Sequence, residues 1–355
     1  MEKKKFIFYF LNIDDVHFTK DIIIIPYVMK KYFNFDVEII TVHEPKTYAR
    51  NAKYTDNLKI TQLGEDFGDK LAQTDVLMIC GFYDWNINTI KLYKQVNPKG
   101  KIFLKLDLNR HWFANLDGNR AFIDNFRPCD LITVETGRLQ RQMKYAWDLD
   151  THLSPNGYYD FPKITETYEK ENVILQVGRL DCPNKNADLL IKAFAEIHEK
   201  IPDWKLRFVG DYGDYFTSNL HQQLEKYPSL ANRIEVLGLM DYEDAQREMK
   251  KAKILCLTSK VEASANVISE GLGNGCFIIA SDVDGAEDVL YEKKLGEIYP
   301  INDLDALKLR LVKVCNHTMF EETLYEKAKS HAQGDLSWVK LCQVILEKLE
   351  HEEKS

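Results

Sequence analysis

The sequence has no long apolar segment and no biased composition. Among its 355 residues, no apolar run approaches the roughly 18 residues that a membrane-spanning helix needs. No low-complexity tract occurs, and the hydrophobic share of 45% and aromatic share of 12% are usual for a globular protein. At this length two domains are expected, because one hydrophobic core rarely supports so long a chain.

Paired cysteines are also lacking. The seven cysteines are scattered, never in C-x-x-C spacing, and several lie in apolar runs as small buried residues do. This predicts a reduced, cytoplasmic protein without disulfides or structural zinc. The N-terminal MEKKKFIFYFL has basic residues before an apolar segment but no small-residue cleavage site, so we interpret it as a first β-strand rather than a signal peptide.

The protein is acidic, and its negative charge is unevenly distributed along the chain. The net charge is −8, whereas residues 1–163 hold 23 basic and 21 acidic residues, so the second half carries the acidic excess. An acidic protein is a poor partner for nucleic acid. The near-neutral first half is better able to approach an anionic surface, and peripheral contact of this half with the inner face of a membrane stays open.

Short apolar runs alternate with helical periods along both halves. This predicts an α/β protein with parallel, doubly wound sheets and right-handed crossovers. No G-x-G-x-x-G follows the first strand, which argues against a nicotinamide enzyme. The pattern restarts after the polar segment TETYEKEN. The predicted strands are Phe6–Leu11, Asp36–Val42, Asp75–Cys80, Lys101–Leu106, Asp130–Val134, Val173–Val177, Leu206–Val209, Ile234–Leu237 and Ile254–Leu257.

The stretch from Leu257 to Ala286 has the features of a ligand-binding loop. It follows an apolar run that predicts a buried strand, and it contains Glu262 and, eight residues later in the next predicted helix, Glu270. The small residues between them let main-chain amides approach a ligand closely. Carboxylates accept hydrogen bonds from neighbouring hydroxyls, so the pattern predicts a hydroxyl-rich phosphate ligand beyond the strand's carboxyl end.

This stretch resembles glycosyltransferase family 4, whose members are retaining enzymes with the GT-B fold. Glu262 and Glu270 match its E-x7-E motif, and VEASANVISEGLGNGCFIIASDVDG is similar to its E-G-F-G/P-N-V-x-x-E-A-x-x-x-G run. The similarity is strong from Val173 to about Leu349; in the first half it rests on topology and on a P-N-G-x-x-x-F pattern at Pro155. The chain departs from the family's usual residues at Ala263, Ser264, Ala265, Gly271 and Asp284.

The resemblance implies a GT-B architecture of two doubly wound Rossmann-like domains facing a cleft. Residues 1–164 would form the acceptor-side domain and residues 165–334 the nucleotide-sugar-binding domain. The C-terminal helix, 335–355, would cross back to the first domain. The chain lacks the family's usual Gly-Gly after the first strand, where it has NIDDVHF instead.

The same resemblance implies roles for individual residues. Arg179 and Lys185 would neutralise the departing diphosphate, as two cations beside helix amides can. Glu262 would hold the hydroxyls of the transferred sugar, and Glu270 those of the ribose. The complete set of implied donor-binding residues is Arg179, Lys185, Gly210, Met240, Glu262, Asn266, Val267 and Glu270.

The first half offers weaker candidates. Asp107 follows the strand KIFLKL at a place where family members have a polar residue near the donor sugar, so we predict a catalytic role shared with Glu262, Arg179 and Lys185. His17 is interpreted as a solvated or capping histidine. The D-x-D at Asp282 belongs to a loop that the resemblance already explains, so no metal site and no cofactor are predicted; the nucleotide-diphosphate sugar is a co-substrate.

The resemblance implies transfer of a hexosyl unit from a nucleotide-diphosphate sugar, with UDP favoured, to a hydroxyl of a glycan or of a lipid-linked or protein-linked acceptor. Two alternatives stay open. The altered first loop and the E-A-S-A substitution support a GT-B partner subunit that binds a glycan or protein without catalysis. The retained charged residues argue against it: Arg179, Lys185, Glu262 and Glu270. A sugar-nucleotide epimerase on the same fold would need no acceptor.

Overall fold

The chain forms two compact units. The structure is a computed structural model that describes residues 3–43, 53, 55, 58–116, 118–161, 163–290, 295–316 and 322–351. Unit 1 contains the residues up to Tyr159 together with the segment from Ser337, and unit 2 runs from Asp160 to Leu336. The divisions expected from sequence, after residues 164 and 334, lie next to these two points.

Unit 1 is built on a seven-stranded sheet in which all neighbouring strands are parallel. The spatial order is β3-β2-β1-β4-β5-β6-β7. Continuous apolar runs form the central strands because both faces are covered by helices, and all five residues of β4 are buried. The strands are β1 Lys5–Phe10, β2 Asp36–Thr41, β3 Lys59–Gln62, β4 Val76–Cys80, β5 Lys101–Lys105, β6 Leu131–Val134 and β7 His152–Leu153.

The described residues of unit 1 form seven α-helices. The last of them comes from the C-terminal segment and packs against the first, burying Trp338 and Ile345. Its start is tied down where the N–H of Trp338 donates to the carbonyl of Tyr158 at 3.0 Å. The helices are α1 Asp21–Tyr32, α2 Phe67–Ala72, α3 Asp84–Val96, α4 Arg110–Leu116, α5 Arg120–Ile123, α6 Gly137–Trp147 and α14 Trp338–His351.

Unit 2 repeats the plan with a six-stranded parallel sheet in the order β10-β9-β8-β11-β12-β13. Its strands are β8 Glu171–Val177, β9 Lys205–Val209, β10 Ile234–Gly238, β11 Ala252–Leu257, β12 Phe277–Ser281 and β13 Gly296–Tyr299. Its helices are α7 Ala187–Ile197, α8 Asp214–Lys226, α9 Tyr242–Lys251, α10 Asn266–Gly273, α11 Ala286–Val289, α12 Leu304–Cys315 and α13 Glu322–Gln333.

The prediction of two doubly wound parallel sheets is confirmed, and each of the nine predicted strands is present. The sequence did not predict β13, nor the edge strands β3 and β7 of unit 1. Both pair on one side only, and β3 (KITQ) carries polar residues that a half-exposed edge tolerates. All seven cysteines are free thiols. In the described part of the chain, no helix is long and apolar enough to cross a bilayer.

Candidate active site

The loops after β8 and β11 meet at the centre of the unit 2 sheet. The chain runs from β8 outward to β9 and β10, then returns to place β11 on the other side of β8. This reversal of strand order leaves a crevice at the carboxyl ends of the two strands, where open α/β sheets bind ligands. Residues 178–186 follow β8 and residues 258–265 follow β11, so both loops lie at this crevice.

Lys185 and Glu262 form an ion pair between these two loops. Nζ of Lys185 lies 2.6 Å from Oε1 of Glu262, and the two side chains are 20% and 15% exposed. Salt and water screen such a pair less than a surface pair. Arg179, in the same loop as Lys185, is exposed, and its guanidinium makes no contact with another charged or polar side chain of the described residues.

Amide hydrogen bonds join the two loops directly beside the ion pair. Nδ2 of Asn184 donates to the carbonyl of Val261 at 2.9 Å, and Oδ1 of Asn184 accepts from the N–H of Val261 at 3.0 Å. The carbonyl of Asn184 also accepts from the N–H of Lys260 at 2.8 Å. Since Lys185 and Glu262 each adjoin a residue of this contact, their main chains are held in one relative position.

Polar groups at the strand ends fix the main chain of Lys185 itself. Its carbonyl accepts from Oγ1 of Thr258 at 2.7 Å and from Nε2 of Gln176 at 3.1 Å. Gln176 donates to Thr258 as well, at 3.0 Å. Sequence reasoning missed Gln176, Thr258 and Asn184. For Gln176 and Thr258, the available signal was a polar residue at the end of a buried apolar run.

Two glycines bring the ends of β8 and β9 close together. A Cβ atom on Gly210 would lie 1.7 Å from the carbonyl oxygen of Gly178, and Gly210 has a φ of +141°, which side chains disfavour. The N–H of Gly210 donates to the carbonyl of Gly238 at 2.8 Å. Steric contact with Gly178 therefore explains why Gly210, which the sequence analysis names as a donor-binding residue, is a glycine.

An exposed apolar surface lies beside Gly210 at the same edge. Tyr212 is 47% exposed and Leu239 is 71% exposed, while Met240 is half-buried. A Cβ atom on Gly238 would touch the Tyr212 ring, which places that ring over the end of β10. Large exposed apolar groups at the carboxyl edge of a sheet suit a flat ligand ring.

Helix α10 starts beside Glu262 with free main-chain donors. Its N-cap, Ala265, has no side chain that accepts a hydrogen bond, so the amides of Asn266 and Val267 lack an intrahelical acceptor. Such a helix start attracts anions. Glu270 is the fifth residue of α10, and its Oε1 accepts a 3.3 Å hydrogen bond from the hydroxyl of Tyr242.

Two departures from the family pattern have steric explanations. A Cβ atom on Gly285, which has a φ of +80°, would lie 3.0 Å from Oγ of Ser264, so the small Ser264 lets the loop before α11 close on it. A Cβ atom on Gly271 would lie 2.6 Å from Leu255 and 2.9 Å from Ile278. The large strand residues therefore fill the space that an alanine methyl would take.

In unit 1 a buried ion cluster lies at the carboxyl edge of the sheet. Nζ of Lys105, the last residue of β5, is 2.5 Å from Oδ2 of Asp21 and 2.5 Å from Oε1 of Glu135. All three residues are buried, and Oε2 of Glu135 has no hydrogen-bond partner among the described residues. Asp107, the predicted catalytic residue of this unit, is exposed and lies two residues after Lys105.

The cluster holds more carboxylates than cations, and this shifts its pKa values. Burial raises the pKa of Glu135 to about 8, the charges of Asp107 and Asp21 add to the rise, and the Lys105 ammonium opposes it. The pKa of Lys105 lies well above its usual value because the three carboxylates outweigh the effect of burial. Lys105 therefore stays charged, and Glu135 is the group that holds an extra proton near neutral pH.

We expect the stability of unit 1 to fall as the pH rises from 4.5, the ordinary glutamate value, to about 8. In this window the folded chain keeps a proton on Glu135 that the unfolded chain has lost. The free energy of unfolding should then fall by up to about 1.4 kcal/mol per pH unit from this group. Urea denaturation across the window should show that Glu135→Gln removes this slope. Equal slopes in the variant and the wild type would contradict the assignment.

His17 lies in the first loop of unit 1 and has a capping role. The ring nitrogen Nδ1 of His17 accepts a hydrogen bond from the main-chain N–H of Asp14 at 2.8 Å. The main-chain N–H of His17 donates to the carbonyl of Asp14 at 2.9 Å. Burial lowers the pKa of His17 below its usual value. The interpretation of His17 as a capping residue is confirmed.

The D-x-D segment belongs to the loop after β12. Asp282 is exposed, and its N–H donates to the carbonyl of Tyr299 at 2.8 Å, whereas Asp284 is 4% exposed. The two carboxylates thus differ in exposure. Within the described ranges, no group of three or more His, Cys, Asp or Glu side chains is placed to hold a metal ion.

Comparison with known proteins finds similarity both in sequence and in fold. Residues 160–331 match the family model of the glycosyl transferases group 1. The "GalNAc-alpha-(1->4)-GalNAc-alpha-(1->3)-diNAcBac-PP-undecaprenol alpha-1,4-N-acetyl-D-galactosaminyltransferase" of Campylobacter jejuni is 32% identical over 192 residues, which are 53% of this chain and 51% of that protein. The phosphatidyl-myo-inositol mannosyltransferase of Mycolicibacterium smegmatis is 26% identical over 166 residues, 45% of this chain and 42% of that protein.

The chain thus spans about half the length of these curated relatives. Among solved structures, HepE of Anabaena in complex with UDP is similar with a TM-score of 0.76 at 16% identity, covering 98% of this chain and 100% of that one. The lipopolysaccharide outer core galactosyltransferase WaaB has a TM-score of 0.72 at 16% identity, covering 98% and 99%. The chain therefore has the GT-B fold of two Rossmann-like α/β domains, and residues 160–331 match the group 1 glycosyl transferases.

Proposed function

We propose that the protein is a retaining glycosyltransferase that moves a hexosyl unit from a UDP-sugar to an acceptor hydroxyl. The observation that carries the proposal is the ion pair of Lys185 and Glu262 at the strand-order reversal of unit 2. At this point the Lys185 ammonium, which can bind phosphate, lies next to the Glu262 carboxylate, which can bind sugar hydroxyls. The match of residues 160–331 to the group 1 glycosyl transferases and the similarity to sugar-transferring relatives support the same reaction.

Binding of the donor diphosphate follows from the groups around this pair. The Lys185 ammonium has three donors, and one of them is used by Glu262. The amides of Asn266 and Val267 at the start of α10 supply further donors with the favourable end of the helix dipole. The exposed Arg179 guanidinium is able to fold over the phosphates and bind them in a bidentate way.

The nucleoside part is assigned to the neighbouring edge of the sheet. Glu270 would accept hydrogen bonds from the two ribose hydroxyls, in exchange for its bond to Tyr242. The base would lie near Gly210 and Met240, against the exposed ring of Tyr212. UDP is favoured as the nucleotide because HepE, a structural neighbour, binds UDP.

Transfer is proposed to take place on one face of the sugar. The bond between the sugar's anomeric carbon and the departing phosphate oxygen breaks, and the acceptor oxygen bonds to that carbon on the same side. The acceptor's proton passes to the departing phosphate oxygen. Lys185 and Arg179 neutralise the charge that develops on the diphosphate, so we propose that no metal ion or other cofactor is needed.

The acceptor is proposed to be a lipid-linked glycan, with protein-linked and free glycans as the other members of the class. Two relatives support this acceptor class: one acts on a PP-undecaprenol-linked glycan and the other is a phosphatidyl-myo-inositol mannosyltransferase. Such acceptors are anchored in a membrane. We therefore propose a cytoplasmic protein whose unit 1 contacts the inner membrane surface peripherally, with Asp107 on the acceptor side.

The direct test is hydrolysis of UDP-, GDP-, ADP- and TDP-sugars by the purified protein without acceptor. We expect slow release of the nucleoside diphosphate from one donor, because water replaces the acceptor at low rate. Retention would be read from the anomer that NMR detects first. Binding of UDP without any turnover, even with acceptor glycans, would instead favour the non-catalytic partner, and no binding of any nucleotide would refute the donor site.

A further inference from the structure

The contact between Lys185 and Glu262 has a consequence for any phosphate that binds Lys185. Three hydrogen bonds of Asn184 join the two loops, which places Glu262 and Lys185 opposite each other, and the carboxylate lies 2.6 Å from the ammonium. A phosphate oxygen that reaches Lys185 comes close to the negative charge of Glu262. Glu262 is 15% exposed, and water screens this repulsion poorly.

A nucleoside diphosphate and a sugar nucleotide differ in what they present to Glu262. The terminal phosphate of the nucleoside diphosphate carries roughly one more negative charge than the same phosphate esterified to a sugar. It also has no hydroxyl to donate to the carboxylate. The sugar nucleotide lacks that extra charge and brings hydroxyls. Within the described residues, Lys185 contacts Oε1 of Glu262. The carboxylate can therefore accept further hydrogen bonds from the sugar hydroxyls.

We propose that Glu262 is a specificity residue that separates the loaded donor from the spent one. It attracts the sugar nucleotide through the sugar hydroxyls and repels the nucleoside diphosphate left after transfer, which promotes product release. This inference rests on the proposed function, since it takes the donor to be a sugar nucleotide bound at Lys185. It adds a task for Glu262 that begins once the glycosidic bond to the phosphate has broken.

The test compares the affinities of two matched ligands in two variants. Isothermal titration calorimetry gives the Kd of UDP and of UDP-glucose for the wild type and for Glu262→Gln, with GDP and GDP-mannose as a second pair. Glutamine keeps the size of the side chain and removes its charge. We expect UDP to bind about tenfold more tightly to the variant and UDP-glucose to bind no better, so that the ratio of the two Kd values changes by at least about tenfold.

Glu270→Gln is the matched control, because Glu270 is assigned to the ribose that both ligands share. It should weaken UDP and UDP-glucose by similar factors and leave their ratio unchanged. Steady-state kinetics give a second readout: inhibition by added UDP should be stronger for Glu262→Gln than for the wild type.

The outcomes separate this inference from the function on which it rests. If the wild type binds a sugar nucleotide and Glu262→Gln leaves the Kd ratio unchanged, or weakens UDP as much as UDP-glucose, the discrimination by Glu262 is refuted and the donor site stands. If neither ligand pair binds to the wild type, the proposed function fails and the inference fails with it. Thermal melting shows whether either variant has lost its fold.

Discussion

Replacing Lys185 by alanine should lower kcat for sugar transfer by about 10²- to 10³-fold, the usual effect of removing one group that stabilises developing charge. Thr258 and Gln176 donate hydrogen bonds to the main-chain carbonyl of Lys185 and so fix its main chain at the crevice of unit 2, while its ammonium pairs with Glu262. The rate should be measured at saturating donor, where a change in donor affinity no longer contributes.

Lys192 provides the matched control for this experiment. It is an exposed lysine of α7, in the helix that begins directly after the Lys185 loop. Lys192→Ala changes the net charge by the same amount and should leave kcat unchanged. Lys185→Arg should recover part of the activity, since charge is kept while the geometry differs. Values of kcat for Lys185→Ala within threefold of the wild type (about 0.65 kcal/mol) would show that Lys185 does not stabilise the leaving group.

Replacing Lys105 by methionine should destabilise unit 1 by about 3–5 kcal/mol, as breaking a buried ion pair from one side does. The change leaves Asp21 and Glu135 buried next to each other without their shared cation. Removing the two acids as well, in Asp21→Leu/Lys105→Met/Glu135→Leu, should recover most of the loss, because an apolar cluster of similar volume has no charge to solvate.

The measurement uses the distribution of tryptophans. Four of the five lie in unit 1, and Trp204 lies in unit 2. In a Trp204→Phe background, fluorescence during urea denaturation therefore reports unit 1. Lys144→Met is the control: this lysine pairs with Asp148 and Asp150, but all three side chains are more than half exposed, so little or no loss of stability is expected. If Lys105→Met and Lys144→Met lowered the free energy of unfolding equally, the claim that burial makes the loss of Lys105 costly would be contradicted.

Much of the fold could be predicted because its signals are local. Strands such as β4, with every residue buried, are continuous apolar runs, and such runs suit a parallel sheet that helices cover on both faces. The edge strand β3 escaped prediction because an edge places few demands on its residues. The same holds for β7, which is two residues long.

The candidate site was predictable in its residue types but not in its contacts. Lys185 and Glu262 were singled out separately, from two loops 77 residues apart, and each was assigned to a different part of the donor. That they bind each other depends on β8 and β11 being neighbours, and strand order is a long-range property. The buried cluster around Lys105 was missed for the same reason: Asp21, Lys105 and Glu135 come from three separate segments.

The sequence by itself determined the alternation of strands and helices, the doubly wound class and the loops that bear the charged residues, since each follows from the period and burial of neighbouring side chains. Tertiary structure alone decided which charges meet. Parallel strands are joined by crossover connections, so residues at adjacent strand ends lie far apart along the chain. The pairing of Lys185 with Glu262 and the raised pKa of Glu135 arise from that packing.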